Sequence, residues 1–241
     1  MKRLINFVPY FIIVTVLGCI LLLNLYGVNS VDSTVSDTPL IIIDAGHGGM
    51  DGGAVASDGT PEQHINLDIA LKLDTFLKEK GYTTLLTRSD NNSIHDENAK
   101  TVREQKVSDI HNRLKIIESN PDSVFVSIHQ NHYSESRYHG TQVFYSENNR
   151  NSSILAQCIQ TSVVNALQPD NKRKIKPSGS SVYLLYHSTV PSVMVECGFL
   201  SNPDETEKLK DEKYRQQLAE AIADGICNYI TSARKTEQTG F

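Results

Sequence analysis

The sequence predicts one α/β domain, with a central twisted, mostly parallel sheet and helices on both faces, preceded by one transmembrane helix. Three observations carry this. Short apolar, β-branched runs (Leu40 to Ile43, Ser123 to Ile128, Val193 to Val195) alternate with stretches of helical period, the pattern that builds parallel sheets. Each of those runs stops at a polar residue that chemistry can use. Ahead of them all, Leu4 to Tyr26 carries no charge and is long enough to cross the roughly 30 Å hydrocarbon core of a bilayer.

At 241 residues and 39% hydrophobic composition, the chain can bury one large core, and a single domain is the simplest arrangement. The formal net charge of -5, with no Lys/Arg block outside the extreme N-terminus of the kind a nucleic-acid binder needs, excludes nucleic acid as a partner. Cys19, Cys158, Cys197 and Cys227 form no CxxC pair, which argues against a thiolate metal site. They read as small buried apolar residues.

Lys2 and Arg3 precede the apolar stretch, so the positive-inside bias places the N-terminus in the cytoplasm and the rest of the chain outside the membrane. Residues 1–30 are expected to be a retained anchor that enters the cytoplasmic-type bilayer through residues 4–26. A cleaved signal peptide would need a shorter apolar region and a small-x-small site, of which Gly27-Val28-Asn29-Ser30 is a poor example. Val16-Leu17-Gly18-Cys19 loosely resembles a lipobox, but an apolar run follows the cysteine directly. Residues 31–38 read as a polar linker, 39–233 as the folded domain and 234–241 as a polar tail.

Within the domain, Leu40 to Ile43 reads as a buried strand feeding the loop that starts at Asp44. Thr60-Pro61-Glu62-Gln63 signals a helix start, with Thr60 as N-cap, Pro61 at the first position and Gln63 closing a capping box. Ile65, Ile69, Leu73 and Leu77 hold one helical face, and Gly81 ends it. Tyr82 to Leu86 reads as a strand, Thr101 to Glu118 as a helix and Ser123 to Ile128 as a strand. Gly140 to Tyr145 and Val182 to Leu185 read as further strands, with a helix from Ser152 to Leu167 between them. Val193 to Val195 is expected to be a short strand ending at Glu196, and Tyr214 to Thr231 the last helix.

His47, His129 and Glu196 each follow an apolar strand, at the sheet edge where open α/β folds place their sites. Glu62 stands in a helix's first turn, fifteen residues after His47, near enough to reach the same edge. Two imidazoles and a carboxylate are the ligand set of a catalytic zinc that keeps one position open. His64 and His132 lie two or three residues from proposed ligands and are alternatives. Glu62's place in the first turn and His129's place directly after the strand favour the first choice. Glu196 has no basic neighbour in sequence to neutralise it and suits a general base and acid. Asp44 is a candidate acceptor for the second ring N–H of a ligating histidine. The glycines around His47 could instead cradle a phosphate, but neither a Walker lysine nor GxGxxG spacing is present.

Taken together, IIIDAGHGGMDGGA, the glutamate of TPEQHINLDIA, LLTRSD, VSIHQNH and PSVMVECGFLSNPDE resemble the zinc-dependent N-acetylmuramoyl-L-alanine amidase family, in order, over Leu40 to Ile230. The resemblance implies that His47, Glu62 and His129 bind Zn2+ and that Glu196 is catalytic. It implies hydrolysis of the amide joining the lactyl group of N-acetylmuramic acid to the first L-alanine of the peptidoglycan stem peptide. Asn131 and Asn202 match further family positions beside the ligands or the substrate, and Arg113 matches an arginine in the helix before the VSIH strand. Ala45 stands where the family usually has Pro, and Gln130-Asn131-His132 where it has Ala-Asn-Ala; neither change removes a site residue. The N-terminal anchor and the lone catalytic domain are similar to the spore-cortex branch. That branch prepares muramic-δ-lactam and works between the forespore and mother-cell membranes. Vegetative autolysis is the alternative physiology, and a zinc peptidase acting on wall peptides and a non-catalytic wall-binding protein are the competing readings. A protein partner that orders the loop-borne ligands is a further expectation.

Overall fold

The computed structural model describes residues 38–239. Six strands form one mixed sheet, in the order β2-β1-β3-β6-β4-β5. They are β1 (Ile41–Ala45), β2 (Thr84–Leu86), β3 (Val124–Asn131), β4 (Gln142–Tyr145), β5 (Lys176–Pro177) and β6 (Ser192–Phe199). Four of the five pairings are parallel, and β4 runs antiparallel to β6. The reversal corrects the expectation of a mostly parallel sheet in one respect. No helix lies between β3 and β4, and a parallel connection needs a crossover that residues 132–141 do not supply.

The helices are α1 (Glu62–Glu79), α2 (Val102–Glu118), α3 (Asn151–Leu167), α4 (Tyr183–His187), α5 (Pro203–Lys210) and α6 (Glu212–Thr239). Alternation along β1 sorts them onto two faces. Ile41 and Ile43 pack with Leu73 and Leu77 of α1, Ile159 of α3 and Ile222 of α6, whereas Ile42 joins Phe125, Ile117 of α2 and Leu185 of α4. Both faces are therefore covered by helices, as expected of strands with continuous apolar runs.

Several elements differ from their sequence reading. Val182 to Leu185 is not a strand: Tyr183–His187 is a short helix that buries Leu184 and Leu185 against the α2 side of the sheet. Thr60 does not cap α1. Pro61 is the N-cap without a side-chain bond, and the free N–H groups of Glu62 and Gln63 go instead to the carbonyls of Ala54 (2.9 Å) and Gly52 (3.1 Å). A capping box does form at α2, between Thr101 and Glu104. α5 had no counterpart in the sequence reading, and α6 continues as helix into the residues read as a polar tail. Among the described residues no helix is long and apolar enough to cross a membrane, and the anchor expected over residues 1–30 lies outside them.

Candidate metal centre and active site

Four polar side chains meet at one edge of the sheet. β3 and β6 each run further than their apolar residues suggest, so His129 and Glu196 lie within strands rather than after them, and they are paired in register. His47 stands on the loop after β1 and Glu62 opens α1. One donor atom from each of His47, Glu62 and His129 lies within 4.8 Å of the others. Nε2 of His47 is 3.2 Å from Oε2 of Glu62, and Nδ1 of His129 is 3.0 Å from Oε1. Donors about 2.0–2.1 Å from a tetrahedral zinc stand roughly 3.3 Å apart, and each imidazole meets one Glu62 oxygen near that distance. His64 points elsewhere, to Oδ1 of Asn91 at 3.0 Å, and His132 is exposed, so neither takes a ligand's place.

The carboxylate of Glu62 is fixed from behind. Its Oε2 accepts from the Ala54 N–H (2.8 Å), and its Oε1 from the Gln130 N–H (2.9 Å) and from Nδ2 of Asn66 (3.0 Å). Burial opposes its ionisation, but the two histidines hold the carboxyl well below the usual range. Asn66 also donates to the Gly46 carbonyl and accepts from Nε2 of Gln130, tying α1 to β3 and the His47 loop.

His47 has a φ of 63° and is the one non-glycine residue among those described with a positive φ. Such backbone persists where surrounding bonds over-determine it, and here two buried arginines do so. Arg113 donates to the carbonyls of Ala45 (2.8 Å) and His47 (2.7 Å), and Arg88 to those of Ala45 (2.8 Å) and Gly46 (2.9 Å). Two glycines make the space. A Cβ on Gly46 would sit 2.3 Å from the ring of His129, and one on Gly53 would sit 2.5 Å from Oε2 of Glu62.

Asp44 does not accept from a histidine. It is buried and accepts from Arg113, from Thr87 Oγ1 (2.7 Å) and from Ser127 Oγ (2.6 Å), which makes it the counter-ion of the arginine that holds the loop. The partner of His47 Nδ1 is Asp51, at 2.8 Å, which in turn is paired with Lys106 at 2.8 Å. Burial opposes protonation of His47, but the bonds to Asp51 and Glu62 overcome it and raise its pKa to about 9. Asp51, Arg88 and Asn66 thus belong to the site although the sequence reading did not single them out. LLTRSD and the two residues after GHGG were the only signals for the first two.

Glu196 has the opposite environment. Its Oε2 is buried without a hydrogen-bond partner, and burial pushes its pKa up to about 7. An unpartnered buried carboxyl beside a cluster of metal-type donors is suited to proton transfer. Asn131 ends β3, and its carbonyl accepts from Leu200. Asn202 caps α5 through Glu205 and donates to the Tyr138 carbonyl, so its role is to fix the turn after β6.

The N-acetylmuramoyl-L-alanine amidase family (Amidase_3) matches residues 41–228. The chain belongs to this family. It is 32% identical over 192 residues to the germination-specific N-acetylmuramoyl-L-alanine amidase of Bacillus subtilis, covering 80% of each chain. Among solved structures, it is similar to the CwlD amidase of Clostridioides difficile in complex with the GerS lipoprotein. The TM-score is 0.77 and the identity 41%, over 80% of this chain and 99% of that one. The catalytic domain of the amidase CwlV from Bacillus (Paenibacillus) polymyxa gives a TM-score of 0.64 and 31% identity, over 80% of this chain and 98% of that one. The matched span contains His47, Glu62, His129 and Glu196.

Proposed function

We propose that the protein is a zinc-dependent peptidoglycan amidase that hydrolyses the bond between the lactyl carbonyl of N-acetylmuramic acid and the amine of L-alanine. His47, Glu62 and His129 would hold the ion. When bound, zinc supplies Lewis-acid polarisation of a carbonyl and lowers the pKa of a water to about 7. The observation that carries the reading is the pairing of that donor set with the unpartnered carboxyl of Glu196 on the neighbouring strand.

The chain's own part is positioning and proton transfer. The ionised carboxylate of Glu196 accepts a proton from the attacking water as the water oxygen bonds to the lactyl carbon. The same group delivers that proton to the departing nitrogen as the C–N bond breaks, leaving a lactyl carboxylic acid and a free L-alanine amine. Asp51 holds the Nδ1–H of His47 so that Nε2 is turned to the Glu62 carboxylate, where it would be free to bind the ion, and Arg113 and Arg88 hold the loop that carries His47.

The similarity to a germination-specific enzyme and to CwlD supports work on spore cortex, upstream of muramic-δ-lactam. The apolar stretch of residues 4–26 supports anchoring to a membrane, with the domain on its outer side. Because the Clostridioides difficile amidase was solved with a lipoprotein, a protein partner that assists this chain belongs to the same proposal.

The test is mass spectrometry of peptidoglycan incubated with purified protein and zinc. Released stem peptides with free L-alanine N-termini, abolished by chelator, are expected. Cleavage within the stem peptide would establish the peptidase reading in its place.

A further inference from the structure

Gln142 pairs with Glu196 across the antiparallel β4–β6 ladder, as His129 does across the parallel one, so the three side chains share one face in a row across the sheet. A bulge between His129 and Asn131 pairs Asn131 with Phe199, which returns Phe199 to that same face. At the end of the row stands Arg173, whose Nη1 donates to Oε1 of Gln142 (2.9 Å) and whose Nε donates to the His139 carbonyl (2.8 Å). Its Cζ lies 4.5 Å from the ring centre of Phe199 and 5.7 Å from that of Tyr138.

This guanidinium is half-buried and pre-positioned, yet all its hydrogen-bond partners are neutral. Among the described residues no carboxylate pairs with it within 4.0 Å, and its Nη2 has no hydrogen-bond partner. Burial lowers its pKa, and Glu205, which opposes this through space, accepts at Oε2 from the N–H groups of Gly140 and Phe199 instead of pairing with it. Arg113 and Arg215, by contrast, are each matched to aspartates. Around Arg173 the sequence Lys172-Arg173-Lys174-Ile175-Lys176 is basic, and no acidic residue follows Asp170 until Glu196 itself. A fixed planar cation left without an anion is a site for a carboxylate.

We propose that Arg173 binds a free carboxylate of the stem peptide and so sets the direction in which substrate lies. The inference rests on the amidase reading above. In the sugar half of the substrate the only carboxyl is the one tied up in the scissile amide, so a free carboxylate belongs to the peptide half. Two strand spacings separate His129 from Gln142, roughly 10 Å, within reach of a peptide advancing about 3.3–3.6 Å per residue from the scissile bond. The peptide then crosses β6 and β4 toward Arg173. The sugar lies on the other side of His129, in a cavity of about 460 Å3 lined by His47, by Ser127 of β3, by Met194 of β6 and by Tyr183 and Leu184.

The experiment compares wild type, Arg173→Ala and Arg173→Lys on two N-acetylmuramoyl-peptides. One carries a free carboxylate on the second residue, and the other carries the carboxamide. On the acid, Arg173→Ala is expected to lower kcat/KM about 10- to 100-fold, mostly through KM. It should change the carboxamide less than threefold, and Arg173→Lys should recover part of the loss on the acid. Equal losses on both substrates, or no loss on either, overturn the proposal. If wild type alone cleaves neither, the fault lies with the amidase reading or with an absent partner, and binding carries the test of Arg173. Calorimetric titration of the same two ligands into wild type and Arg173→Ala then decides whether the carboxylate is recognised.

Discussion

Asp51 and Glu62 grip the His47 imidazole from opposite ends, with Asp51 Oδ2 2.8 Å from Nδ1 and Glu62 Oε2 3.2 Å from Nε2. One carboxylate belongs to the proposed ion and the other fixes the ring that binds it. Asp51→Asn should therefore lower zinc affinity about 10- to 100-fold while leaving the fold intact, as loss of a ligand's orienting partner does. Competition with a chromogenic chelator measures it, and unchanged affinity would remove Asp51 from the site.

The same geometry couples metal to pH. In the metal-free protein His47 is raised to about 9, so below that pH a proton occupies the position zinc must take. Zinc affinity should rise with pH up to about 9, with proton release on binding visible in calorimetry in different buffers. The folded pKa exceeds the unfolded value of about 6.5, so His47 stabilises the metal-free fold fully below pH 6.5. That contribution is lost as pH rises through about 9. Thermal midpoints in chelator should fall across that window.

Glu196 should separate binding from turnover. Glu196→Gln is expected to keep zinc and lose about 10²- to 10⁴-fold in kcat. In wild type, kcat/KM should fall as pH drops below about 7, where burial returns the proton to the carboxyl, and a bound cation displaces that limb to lower pH. The variant's residual rate should lack the limb. Equal loss of zinc and activity would make Glu196 a ligand.

Arg113 joins stability to the site. It is 2% exposed and satisfies Asp44, Asp109 and two loop carbonyls. Arg113→Met leaves a buried carboxylate unpaired and should cost about 3–5 kcal/mol, read from denaturant unfolding, together with weakened zinc binding. Burial resists ionisation of Asp44, but Arg113, Ser127 and Thr87 hold its pKa at about 2. Its contribution is complete above the unfolded value near 4 and disappears as pH falls through about 2. Acid unfolding of the variant should lack that component.

The four central side chains were legible because each stands at the end of an apolar run or in a helix's first turn, a local pattern. The strands were read too short because their hydrophobic signal ends at His129 and Glu196, although the ladder continues through Gln130-Asn131 and Cys197 to Phe199. Residues 182–185 misled because a run of four apolar and aromatic residues fits a strand or one turn of helix equally well. Asp44 was given to a histidine because its partner, Arg113, is 69 residues away, and nothing local marks a contact of that span. Asp51 escaped for the opposite reason: it sits in a glycine-rich loop where no period singles out any residue.

The carbonyls of residues 45 to 47 are captured by arginines that reach them from α2 and from the turn after β2. A loop clamped by the protein's own cations leaves the His47 backbone little freedom, so its imidazole is presented from a fixed base.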